Sequence, residues 1–252
     1  MTARKRTTPH RNKRGGAPTK LDRRALIRLL AAGKGGQNLG ARVEAISRQL
    51  IGLPYIENPL GGGPDLEERL TLSLGAFDCV TFVESVLAAA LAQTPGDFVS
   101  IVREIRYHRG CVEWASRNHY MTDWVRNNRK QGFVADKTRG RESITKERRL
   151  NLVAGLPKKM ARLRCFPKRA FPRIAPRIES GDVIFFVSTR PTLDVFHTGL
   201  LVKRGDEVLM RHAARGAGKV IEQPLPEFLK TQRMAGFMLA RPVMRSGARG
   251  GR

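Results

Sequence analysis

Apolar residues recur at three- and four-residue spacing twice near the start of the chain: Leu26, Ile27, Leu29 and Leu30, then Val43, Ile46, Leu50 and Ile51. This spacing predicts two amphipathic helices, separated at Gly35-Gly36, with Pro54 closing the second. A Gly-rich loop, Gly61-Gly62-Gly63-Pro64, comes next. After Asp78 an apolar run through Val80, Phe82, Val83, Val86, Leu87, Ala90 and Leu91 reads as a buried helix. Beyond about residue 180 the pattern becomes that of strands, at 182–187, 196–203, 207–212, 219–222 and 236–240. Helices first and adjacent strands afterwards predict an α+β fold, with N-terminal helices packed on an antiparallel sheet. Between the two regions, Pro157, Pro167, Pro172 and Pro176 argue for a long irregular segment.

Charge divides the chain differently. Lys and Arg number 47 against 22 Asp and Glu, a net +25. Residues 1–24 hold nine basic and one acidic residue, and residues 101–180 hold 21 and seven, so these blocks carry +8 and +14 of that excess. Residues 1–20 have no apolar periodicity and read as a disordered basic tail. The remainder, 21–252, reads as a single domain with a basic insertion around 101–180. The longest unbroken apolar stretch, Val86–Ala92, is far short of the roughly 18 residues that span a bilayer, so no membrane span is expected. The opening residues also lack the apolar core of a secretory signal, and the sequence assigns no compartment.

Three cysteines, Cys79, Cys111 and Cys165, form no CxxC pair and no closed disulfide framework, so neither a metal nor another cofactor is implied. Cys79 has a distinctive position. Asp78 is placed to cap the buried helix, which puts Cys79 in its first turn, facing unpaired backbone N–H groups. That field favours a thiolate, although the Asp78 charge opposes it. A small structural cysteine in a buried helix is the plain alternative, unless a base stands nearby. His197 and His212 fall in consecutive strands. With a hairpin loop centred on Arg204-Gly205, Lys203 pairs with Asp206, a residue-number sum of 409. As 197 and 212 also sum to 409, the two histidines are expected directly opposite each other on one face. One imidazole then orients the other, as a cysteine nucleophile requires. Cys111 and Cys165, with no assignable base, read as structural.

These residues carry a family resemblance. Gly52-Leu53-Pro54-Tyr55, Phe77-Asp78-Cys79, His197-Thr198-Gly199-Leu200 and His212-Ala213 resemble, in order, the motifs of the NlpC-type, papain-like cysteine hydrolases of bacterial cell wall. Asp78 to Glu84, Asn118-His119-Tyr120 with Asp123-Trp124, Leu193 to His197, and Arg211-His212-Ala213 followed by Lys219-Val220 resemble more narrowly the N-acetylmuramoyl-L-alanine amidase-like branch. The resemblance covers about residues 25–243. It implies a papain-like fold in the cell envelope and hydrolysis of the amide between N-acetylmuramic acid and L-Ala of muropeptides. Cys79 would be the nucleophile, His197 the base and His212 its orienter. The Tyr55 hydroxyl and the Cys79 N–H would stabilise an oxyanion. His119, Tyr120, Asp123 and Trp124, whose spacing by itself equally suits a half-buried packing cluster, would wall the substrate groove, and Asp194 would be a loop residue or a secondary orienter.

Two other readings compete. An endopeptidase cutting between D-Glu and diaminopimelate would use the same Cys and His machinery. The basic charge also raises a nucleic-acid-binding protein, against which stand a 6% aromatic content and the lack of a recognisable binding motif.

Overall fold

The computed structural model describes residues 21–244, so the expected tail at 1–20 lies outside the described residues. The first two helices form where the apolar spacing places them. Helix α1 (Arg23–Lys34) starts at Asp22, whose carboxylate accepts from the N–H groups of Arg24 and Ala25, and α2 (Leu39–Gln49) starts at Asn38 in the same manner. Helix α2 stops five residues before Pro54, so proline does not end it. After the Gly-rich loop come α3 (Cys79–Leu91) and α4 (Pro95–Arg106). Every residue from Thr81 to Ala90 is buried, as the run of apolar residues requires.

The basic stretch 101–180 is not irregular. It holds the second half of α4, then α5 (Met121–Lys130), strand β1 (Val134–Asp136), an antiparallel hairpin of β2 (Ile144–Leu150) and β3 (Lys159–Cys165), and the short α6 (Phe171–Ile174). The hairpin escapes a period-two reading because charge occupies both of its faces. Lys146 and Arg148 alternate with Thr145, Glu147 and Arg149, and Arg148 is buried through a hydrogen bond to the Ser188 carbonyl.

Strands β4 (Val183–Val187), β5 (Val195–Arg204), β6 (Glu207–Ala214) and β7 (Lys219–Pro224), helix α7 (Leu225–Thr231) and strand β8 (Gly236–Pro242) complete the described chain. Six strands form one antiparallel sheet in the order β1-β8-β4-β5-β6-β7. One face meets α1 to α4 through Val183, Phe185, Leu200, Ala213 and Ala240. The other meets α6 and α7 through Ile184, Phe186, Leu201, Met210 and Phe237. Because both faces are covered, β4 is apolar at every position rather than alternating.

The β5–β6 register differs from the expected one. Arg204 pairs with Glu207 and Leu200 with Arg211, a sum of 411, and the loop is Gly205-Asp206. Gly205 has φ 58°, a left-handed conformation that glycine adopts without the Cβ penalty Arg204 would meet at the same place in the turn. A two-residue slip preserves the face, so His197 and His212 still share it, but as diagonal rather than direct neighbours.

Candidate active site

Helix α3 begins with a capping box. The Asp78 carboxylate accepts from the N–H groups of Val80 (3.1 Å) and Thr81 (2.7 Å), and the Thr81 hydroxyl accepts from the Asp78 N–H (3.0 Å). This fixes Cys79 as the first helical residue, half-buried, where the Thr198 backbone N–H from β5 acts on its sulfur together with the N–H groups of Cys79 and Val80. These donors favour the anion but do not prevail. Burial, reinforced by the Asp78 charge, pushes the thiol up to about 12, so the helix-start thiolate expected from sequence is a neutral thiol at rest. No hydrogen bond joins this thiol to His197 in the structure; the contact with β5 is one residue further on, at Thr198.

The histidines do meet. His197 Nε2 lies 2.6 Å from His212 Nδ1, with the rings nearly perpendicular and their centroids 4.8 Å apart. A diagonal pair has Cβ atoms too far apart for short side chains, and the length of the two imidazoles closes the gap. His197 lies roughly parallel to the rings of Phe186 and Phe228, which pack on each other, while His212 is set edge-on to Phe228. Burial lowers His197 to about 3, with repulsion from His212 adding to it, and burial alone lowers His212 to about 4. Both rings are therefore neutral at pH 7.

Gln223 is not among the residues that the sequence pattern singles out. Its side-chain amide lies 2.7 Å from His212 Nε2. His212 pairs in register with Ile221, so Gln223 repeats on the far side of β6 the diagonal offset of His197. The expected strand ended at 222; one further residue of extended backbone would have put Gln223 on this face. His197, His212 and Gln223 together line a cavity of about 360 Å³, closed by Phe196, Phe228 and Gln232 among others.

Tyr55 lies close enough to Cys79 and Asp78 to feel their charge. Its strand-like segment bridges to Phe77, and its N–H donates to the Gly218 carbonyl (2.8 Å). Burial first, then the nearby Cys79 and Asp78, raise the Tyr55 hydroxyl above its ordinary pKa and keep it a donor.

The remaining sequence-derived site residues are engaged elsewhere. Trp124 is buried, and its Nε1–H donates to Glu84 (3.2 Å) in the core. Tyr120 is buried too, its hydroxyl accepting from the N–H groups of Leu152 (3.0 Å) and Val153 (3.3 Å) at the tip of the β2–β3 hairpin. Asp123 pairs with Lys159 of β3 and with Arg126 (2.6 Å). His119 donates to the Trp114 carbonyl (2.7 Å) and packs edge-on against the Trp114 ring, whose own N–H reaches Ala154. These four residues anchor α5 and the basic hairpin, with Tyr120 and Trp124 buried and His119 and Asp123 partly exposed. Their spacing places them in one neighbourhood, and the β2–β3 hairpin that packs there lies in the segment whose prolines predict irregular structure. Asp194 accepts from the Thr122 N–H (2.7 Å), the Thr122 hydroxyl (2.8 Å) and the Val195 N–H (2.7 Å). It caps α5 and fixes the start of β5, and it does not touch either imidazole.

The class to which this arrangement belongs emerges by comparison. The chain is similar to the crystal structure of an N-acetylmuramoyl-L-alanine amidase from Bacteroides uniformis, with 26% identity and a TM-score of 0.73 over 81% of this chain and 99% of that one. It is also similar to a Legionella pneumophila protein at 20% identity, with a TM-score of 0.76 over 88% of this chain and 96% of that one, which shows the shared fold. No curated protein matches its sequence significantly. The model of the N-acetylmuramoyl-L-alanine amidase-like family matches residues 45–237, and the chain belongs to that family.

Proposed function

We propose that this protein is a cysteine hydrolase, papain-like in its use of a helix-start thiol beside a histidine-bearing strand. Its reaction is cleavage of the amide between the lactyl group of N-acetylmuramic acid and L-Ala in peptidoglycan fragments. The observation carrying this reading is the placement of Cys79 at the capped start of α3, where its sulfur meets the backbone of the strand that bears the paired His197, within an amidase-like chain. The neutral Cys79 thiol gives its proton to His197 Nδ1 as sulfur attacks the lactyl carbonyl, so charge appears only during reaction. The Cys79 N–H and the Tyr55 hydroxyl receive the developing oxyanion. His197 then returns the proton to the leaving amine of L-Ala. Water, deprotonated by the same imidazole, releases the thioester as the free lactyl acid.

Mass spectrometry of products from a defined muropeptide tests this. Free muramyl sugar and a peptide beginning with L-Ala support it, whereas a muropeptide truncated after D-Glu would assign the endopeptidase reaction. Cys79→Ala should be folded, by its unchanged melting temperature, and without detectable turnover. Retained turnover would overturn the nucleophile.

A further inference from the structure

We propose that Gln223 is a positioning residue that sets which nitrogen of His197 carries a proton, by the orientation of its amide against His212; this rests on the Cys79–His197 reading above. Proton bookkeeping along the diagonal allows two arrangements. With the amide nitrogen toward His212, as found, an amide N–H donates to His212 Nε2 and His212 Nδ1–H donates to His197 Nε2. The His197 proton then sits on Nδ1, and this nitrogen cannot receive one from a thiol. With the amide oxygen toward His212, His212 Nε2–H donates to it, His197 Nε2–H donates to His212 Nδ1, and His197 Nδ1 is left bare. A half-turn about the last side-chain torsion of Gln223 exchanges them. Only the second arrangement also suits the imidazolium formed during attack, because His197 Nε2–H then needs the lone pair on His212 Nδ1.

The test is a pair of variants read by turnover and by the imidazole nitrogen NMR signals of the resting protein. Gln223→Glu offers an acceptor only and should retain turnover, with His212 protonated at Nε2. Gln223→Met keeps the side-chain length but offers neither hydrogen bond. It should lose about 10- to 100-fold in kcat with little change in KM, and lose the fixed His212 tautomer. Unchanged kcat in Gln223→Met, or a His212 tautomer indifferent to residue 223, would overturn the proposal. The NMR readout needs no substrate, so an error in the Cys79 assignment, shown by an active Cys79→Ala, is distinguishable from an error about Gln223.

A separate observation concerns the basic hairpin. Arg126 and Arg129 of α5 and Arg162 and Arg164 of β3 line one cavity of about 220 Å³, floored by Val125, Leu163 and Met238, with Asp136 the single acid in its lining. Arg126 is paired with Asp123, whereas Arg129, Arg162 and Arg164 make no ion pair among the described residues. Like charges converging on a small concavity raise one another's energy unless an anion occupies it. With Arg126 already paired, three guanidinium groups remain against one carboxylate, a balance that suits a phosphate group better than a single carboxylate. We infer that this cavity is a phosphate-binding site separate from the histidine cavity. Calorimetric titration of the full chain with pyrophosphate, against acetate as control, tests it. Pyrophosphate should bind at least about tenfold more tightly than acetate. In the Arg162→Ser/Arg164→Ser variant, altered only on an exposed strand face, that affinity should drop by about tenfold or more. Binding that survives the double substitution, or no preference over acetate, would overturn the site. If pyrophosphate binds, retention on phosphatidylglycerol vesicles, abolished by the same substitutions, assigns a lipid headgroup, and failure to be retained assigns a free phosphate.

Discussion

Each histidine in the pair has a different neighbour, and this gives the two unequal duties. Among the described residues, His212 has hydrogen-bond partners on both ring nitrogens and His197 on one, and under the proposed mechanism the other His197 nitrogen exchanges protons with Cys79, so His197→Ala should lower kcat/KM by about a hundredfold or more. His212→Asn keeps a polar side chain on the same face and should retain measurable turnover; the opposite ranking would exchange the roles. The depressed values, about 3 and about 4, also predict the acid limb of the pH–rate profile. His197 stays neutral until pH falls well below the ordinary histidine value near 6.5, so kcat/KM should hold through pH 5.5, whereas a limb near 6.5 would contradict the burial. Stability follows the linked sign. Below about pH 6.5 the unfolded chain takes up protons that the folded histidines refuse until about 4 and 3, so folding weakens as pH drops across that window. A His197→Gln/His212→Gln variant should lose less melting temperature between pH 7 and 5 than the parent.

At the scale of elements, the start of α3 and the β5–β6 hairpin decide the site. Asp78 both caps α3 and holds the Cys79 thiol up. Asn caps about as well as Asp, so Asp78→Asn should change stability by less than about 1 kcal/mol yet lower the thiol pKa. The check is the pH dependence of alkylation in a Cys111→Ser background, needed because Cys111 is the exposed thiol. On the hairpin, a Cβ at Gly199 would stand 2.9 Å from the Arg211 carbonyl and 3.1 Å from the His212 Cβ. Gly199→Ala should therefore separate β5 from β6 beside the histidine contact and cost turnover beyond any fall in the folded fraction, measured by kinetics and circular dichroism on one preparation. The glycine of the His-Thr-Gly motif thus has a steric reason to sit two residues after His197.

At the scale of the molecule, α3, α4 and α5 are locked together by one buried carboxylate. Glu84 accepts from Arg106 Nε (2.7 Å) and Trp124 Nε1, and Arg106 also donates to the Thr71 carbonyl (2.6 Å). Burial raises the Glu84 carboxyl, and Arg106 opposes that rise. Arg106→Met leaves the carboxylate without its ion partner and should cost about 3–5 kcal/mol by denaturant unfolding. Adding Glu84→Gln should recover part of this; a neutral Arg106→Met would show that the pair contributes nothing to holding these helices.

Much was legible from local pattern alone. The apolar spacing located α1, α2 and α3, and the strand pattern located β4 to β8 to within two residues, because repeated side-chain periodicity survives small errors at element ends. Asp78 as a cap and the shared face of His197 and His212 followed from position and parity, and parity tolerates the two-residue slip that the Gly205 turn introduced. What chain contacts decided is different in kind. Tyr120, Asp123 and Trp124 have the right spacing for a common neighbourhood, but only the packed hairpin and core show which partner each takes. Asp194 lies three residues before His197 in sequence, yet its carboxylate turns to Thr122, 72 positions away. Gln223 reaches His212 only because three strands lie side by side. The Cys79 thiol is neutral because tertiary burial outweighs the helix-start N–H groups, a balance set by neighbours from distant parts of the chain rather than by position along it.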